Sequence, residues 1–136
     1  MDLKFQRTKL HTKMRTEFIP YTEALALKEL GFDKECVAYY NGYNKLDHLM
    51  PERVFVLHDY NGENTTSAPT FSQAFRWFRE KYNLYIVISH NQYWVFEIYT
   101  TSNDDLIYGE STHKSYEEAE LECLKKLIEI VKKKNE

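Results

Sequence analysis

Apolar residues recur at three- and four-residue steps in two stretches of the second half of the chain, and between them the pattern shifts to the two-residue period of strands. The pattern predicts helix, three strands, helix from Thr70 to Glu136. Thr70 and Gln73 have the spacing of a capping box, and Phe71, Ala74, Phe75, Phe78 and Tyr82 fall on one helix face. Asn83 predicts a stop. Tyr85 to Ser89 is then a short run of β-branched and aromatic residues, and Tyr93 to Thr100 alternates strictly, with Trp94, Phe96 and Ile98 on one side and Tyr93, Val95, Glu97 and Tyr99 on the other. His90-Asn91-Gln92 reads as the loop between these strands, Ser102 to Asp105 as a turn, and Leu106 to Glu110 as a third strand. Short connections make the strands antiparallel. Ser115, with Glu118 three residues on, opens the last helix, whose apolar stripe is Tyr116, Ala119, Cys123, Leu124, Leu127, Ile128 and Val131, and Lys132 to Lys134 suit its C-terminal end.

The first half is less periodic. Pro20 to Leu30 predicts a short helix ended by Gly31 in a left-handed conformation. Cys36 to Tyr40 is strand-like, and Asn41-Gly42 predicts a hairpin returning through Tyr43 to Leu46. Arg53 to His58 is a second strand-like run, followed by Asn61-Gly62 and a polar loop to Ala68. Residues 1–15 carry no period and no caps, so they are expected to be a flexible basic extension. Residues 16–136 are expected to form a single α+β domain with a mostly antiparallel sheet and helices packed on one face, residues 70–136 being its α-β-β-β-α unit.

A length of 136 residues suits one domain, and eleven tyrosines beside four glycines and three prolines argue for packed structure over disorder. No apolar run is long enough to span a bilayer, and the N-terminus lacks the apolar segment of a signal peptide. A cytoplasmic protein without membrane contact is the expectation. Cys36 and Cys123 lack CxxC spacing and read as reduced structural thiols, which leaves the Asn64-Thr65-Thr66 sequon without consequence. Lys4, Arg7, Lys9, Lys13 and Arg15 against Asp2 give the first sixteen residues a charge of +4, so the remainder carries −7 of a net −3.

The helix, three antiparallel strands and helix within residues 70–136 resemble the double-stranded-RNA-binding domain. The resemblance implies RNA contacts from the first helix, the loop between the first two strands, and cations at the start of the second helix. Here Lys114 is the one suitable cation, and Glu117, Glu118 and Glu120 stand where phosphates would lie. The resemblance therefore implies the topology without the RNA binding. The wording of Phe18 to Tyr21 and Leu27 to Phe32, of Ala68 to Tyr82, and of Ser115 to Lys125 is similar to small uncharacterised proteins of bacteriophages and mobile elements of gut anaerobes. That likeness implies an accessory role and no particular activity.

Candidate chemistry is sparse. His11, His48, His58, His90 and His113 lack the spacing that puts two imidazoles on one metal, and His58-Asp59 is the one adjacent acid and base. Asp59 to Glu63 departs from a calcium loop in its carboxylates, glycine position and closing glutamate. No phosphate-cradling glycine loop is present, and Ser72, Ser89 and Ser111 lack the flanks of a nucleophile elbow. The reading is a non-enzymatic module with no catalytic residue, metal or cofactor. If Trp94, Phe96 and Ile98 face the helices, the back of the sheet carries Tyr85 or Val87 with Tyr93, Val95 and Tyr99, too much apolar area to leave wet without a reason. Either the N-terminal elements cover it, or Tyr85, Tyr93, Val95 and Tyr99 meet a protein partner or a second copy. The alternative is nucleic acid held by Lys4, Arg7, Lys9, Lys13 and Arg15, with bases on the aromatic face.

Overall fold

The computed structural model describes residues 16–41 and 57–136 and divides the chain into two compact units, one ending at Thr70 and one spanning Phe71–Glu136. The basic arm, the return strand at Tyr43 to Leu46, and Arg53 to Val56 lie outside the described residues. Among the described residues the architecture is α+β, with three helices and antiparallel sheets of two and three strands.

In the first unit, helix α1 (Tyr21–Glu29) buries Ala24, Ala26 and Leu27. It ends as the glycine predicts: Gly31 adopts φ 96°, its N–H reaches the Lys28 carbonyl at 3.0 Å, and the Phe32 N–H reaches Leu27 at 2.9 Å. Strands β1 (Tyr39–Asn41) and β2 (Thr65–Ser67) pair antiparallel, and α1 packs on β2. The polar segment read as a loop to Ala68 thus contains a strand. Thr66 and Ser67 are buried there, because pairing to a distant strand satisfies a backbone that no local apolar pattern announces. Side chains fix the turn before β2. Asn61 Nδ2 donates to the Phe32 carbonyl at 2.7 Å, its Oδ1 accepts from Ser67 N at 2.8 Å, and Ser67 Oγ accepts from Tyr60 N at 2.8 Å. Lys28 Nζ spans to the Gly62 carbonyl and, at 2.8 Å, to that of Thr65.

The second unit has the predicted α-β-β-β-α order. Helix α2 (Phe71–Tyr82) stops where Asn83 turns left-handed at φ 58°, and α3 (Tyr116–Lys134) closes the chain. Between them β3 (Leu84–Asn91), β4 (Tyr93–Thr100) and β5 (Leu106–His113) form a sheet in that order, with β4 central. Two strands run longer than their apolar stretches. His90 and Asn91, read as loop, belong to β3 because Gln92 alone, at φ 67°, makes the reversal, and β5 extends to His113. Both helices pack on the same side of the sheet, α2 on β3 and α3 on β4, β3 and β5. Ala74, Phe78, Ile98, Leu124, Leu127 and Val131 are fully buried among these layers. Trp77, off the main stripe of α2, is also buried, edge-on to Phe78 at 5.2 Å and Tyr82 at 5.4 Å. No helix among the described residues is long and apolar enough to cross a membrane.

Ser115 caps α3 as predicted, its Oγ accepting from Glu118 N at 3.1 Å; the Glu118 carboxylate accepts in return from Lys114 N at 3.3 Å. Ser115→Ala should therefore lower stability by about 1 kcal/mol. Leu124→Ala, which empties a fully buried site, should cost about 3 kcal/mol. Urea titrations check both, and equal losses would contradict the packing described.

Burial raises both thiols, Cys36 and Cys123, from 9.0 to about 12. Neither should react with a maleimide at neutral pH until the chain is unfolded, as timed labelling would show. Above pH 9.0 the unfolded thiols ionise while the folded ones stay protonated, so their stabilising contribution is full below 9.0 and is lost as pH rises toward about 12. Urea midpoints falling from about pH 9 upward, and falling less in a Cys36→Ser, Cys123→Ser background, are the expected result.

Candidate functional site: the tyrosine face of the sheet

The alternation in β4 decides which side chains the two helices cover. Phe96 and Ile98 are buried on the helix side, and the Trp94 ring meets Tyr116 of α3 edge-on at 5.3 Å. Phe96 lies against Tyr108 and His113, each 5.5 Å away and near parallel. On β3 the partners of these residues are Ile86, Ile88 and His90.

The other residues of β4 consequently point to the opposite face. Tyr85 pairs with Tyr99, Val87 with Glu97, Ser89 with Val95 and Asn91 with Tyr93, while β5 places Leu106 opposite Tyr99 and Thr112 opposite Val95. The structure thus brings Tyr85, Tyr93, Val95 and Tyr99 onto one surface, and resolves the choice between Tyr85 and Val87 by placing both there. Tyr93 is 57% exposed, Leu106 55% and Val87 39%; Tyr85, Val95 and Tyr99 are half-buried. The Tyr85 and Tyr99 rings stack at 5.3 Å with 16° between planes, forming a flat aromatic platform.

Carboxylates fix the phenols of that platform. Tyr99 Oη donates to Glu97 Oε2 at 2.6 Å and Tyr85 Oη to Asp104 Oδ1 at 3.1 Å. The hydrogen bond to Glu97 is the main cause that raises the Tyr99 phenol above its ordinary value, whereas for Tyr85 desolvation comes first and Asp104 second. The surface is therefore apolar at its centre and anionic where the phenols end. Leu106 and Asp104 were not legible as members. Register shifts between Phe96 and Tyr99 break the parity that would have assigned the side chains of β5, and Asp104 arrives from the turn at φ 54°.

The histidines and Asp59 that the described residues include lie away from this face or in turns. The exposed His58 bridges Cys36 through backbone hydrogen bonds of 2.9 and 3.1 Å and sets its ring edge-on to Tyr60. Asp59 Oδ1 accepts from Asn61 N at 3.1 Å, a turn-forming role. His113 Nε2 lies 3.1 Å from Ser111 Oγ, and Nδ1 lies 3.7 Å from Glu118. It borders a cavity of about 230 Å³ between β5 and α3, lined also by Lys125, Lys126 and Glu129, where Lys126 stands 4.5 Å over the Tyr108 ring and pairs with Glu129. A second cavity of about 370 Å³ lies among Leu84, Ile107, Ile130 and Val131. Among the described residues no three of His, Cys, Asp and Glu are grouped to hold a metal ion. His11, His48 and the cations Lys4, Arg7, Lys9, Lys13 and Arg15 fall outside the described residues.

No family model matches this chain, and neither a curated protein nor a solved structure matches it.

Proposed function

We propose that this protein is a non-enzymatic interaction module that binds another protein on the outer face of the β3–β4–β5 sheet. One observation carries the reading: Tyr85, Val87, Tyr93, Val95, Tyr99 and Leu106 share a face turned away from both packed helices. Tyrosine supplies large contact area at small conformational cost, and its hydroxyl tolerates both the free and the bound state. Glu97 and Asp104 define the chemistry of the occupant: a protein surface offering an aliphatic or aromatic side chain flanked by arginine or lysine. The same carboxylates repel phosphate, which disfavours nucleic acid on this face. The buried thiols and the turn-forming Asp59 support binding over catalysis. The likeness in wording to phage and mobile-element proteins supports an accessory role in the cytoplasm of a bacterial host.

A photo-crosslinking amino acid at Tyr93 tests this in host cells. The expected product is a discrete adduct with one protein, absent when the same residue replaces Tyr116, which is 40% exposed beside Trp94 on the helix side. With the partner in hand, Tyr93→Ser should weaken binding at least about tenfold while leaving the urea midpoint unchanged, because the ring is exposed. Adducts with nucleic acid at Tyr93, or a steep salt dependence of oligonucleotide binding, would transfer the site to the alternative reading.

A further inference from the structure

We propose that β3 is a pairing edge for a second copy of this chain, giving a two-fold dimer with one continuous sheet. The two edges of the sheet are built differently. β5 has devices that discourage strand addition: register shifts against β4 and a glycine at 109. β3 has none of them. All eight of its residues pair with β4 in an unbroken register, and Leu-Tyr-Ile-Val-Ile-Ser-His-Asn contains no proline, lysine or carboxylate. Among the described residues its one strand neighbour is β4, and the N–H and C=O groups that point away from β4 alternate along its far edge.

Such an edge specifies its occupant closely: an extended, uncharged, β-branched strand. β3 itself meets that description. An antiparallel strand paired with its own copy is self-complementary about a two-fold axis perpendicular to the sheet, so each residue that contacts another is contacted in return. Ile86, Val87 and Ile88 supply the cross-strand pairs near the middle, and Val87 and Ser89 are exposed at that edge on the outer face. The perpendicular axis also places the outer faces of both copies on one side. Two three-stranded sheets become one of six strands, with both Tyr85–Tyr99 platforms on a single surface. The dimer does not depend on the protein-partner reading, since it uses backbone groups rather than the tyrosine rings.

Sedimentation equilibrium from about 1 to about 200 µM tests it, a range that brackets a micromolar association. The expected mass rises from 16.4 kDa to twice that value. The double substitution Val87→Lys, Ser89→Lys places charge at exposed positions of the edge and should weaken the association at least about tenfold. Thr112→Lys, exposed on β5, and Tyr93→Ser should leave it intact. Amide exchange gives a second reading that needs no variant: protection should increase with concentration in β3 and stay constant in β5. A chain that remains 16.4 kDa throughout overturns the dimer, as does a dimer lost on Thr112→Lys but not on the β3 substitutions. A monomer that still forms the Tyr93 adduct would overturn this inference alone.

Discussion

Burial of Phe96 and Ile98 on the helix side of β4, the strand that α3 covers, is the interaction on which the second unit depends. Side chains in a strand alternate, so this burial fixes the direction of every other residue in β4 and, through the ladder, in β3. A slip of one residue would turn Glu97 and Tyr99 toward the helices and expose Phe96 and Ile98. That slip would strand a carboxylate in the core and forfeit roughly 2 kcal/mol for each apolar side chain left wet. The tyrosine face is the other half of the same constraint. Val87, Tyr93 and Leu106 remain exposed there, although burial of Phe96 and Ile98 does not itself call for apolar residues on that side, and the binding proposal rests on that surplus.

The unit ending at Thr70 is held together differently. Its strands have three residues each, and much of its order comes from side chains that satisfy backbone groups. Asn61, Ser67 and Lys28 pin the turn before β2, and Tyr40 Oη donates to the Ile19 carbonyl at 2.8 Å. Aromatic contacts add to this, with Tyr39 stacked on Tyr60 at 4.7 Å and Tyr21 edge-on to Tyr40 at 5.4 Å. Substitution at these positions removes partners from backbone groups that are at least partly shielded from water, most fully at the Ile19 carbonyl.

What was legible in the sequence is what local chemistry determines. Ser115 with Glu118 set the start of α3, Asn83 and Gly31 set two helix ends, and the strict alternation from Tyr93 to Thr100 gave both the bounds of β4 and its two faces. The misses share a physical origin in pairing, which composition does not record. Thr65-Thr66-Ser67 is a strand because β1 accepts it, and Ser111 to His113 continue β5 because β4 extends that far. His90 and Asn91 are polar yet paired, since a left-handed Gln92 shortens the reversal to one residue. Tyr93, Val95 and Tyr99 were readable on the outer face from parity alone, whereas Tyr85 and Val87 stood as alternatives until the ladder placed both there. Leu106 was not readable, because a bulge resets the count, and neither was Asp104, whose role depends on the shape of a turn.

Solvent relaxation of side-chain NMR signals by a soluble paramagnetic probe reads the two faces of the sheet separately. Strong enhancement at Tyr93, Val87 and Leu106 and protection at Phe96 and Ile98 are expected. Protection of Tyr93 and Val95 with enhancement at Phe96 would contradict this assignment of the two faces.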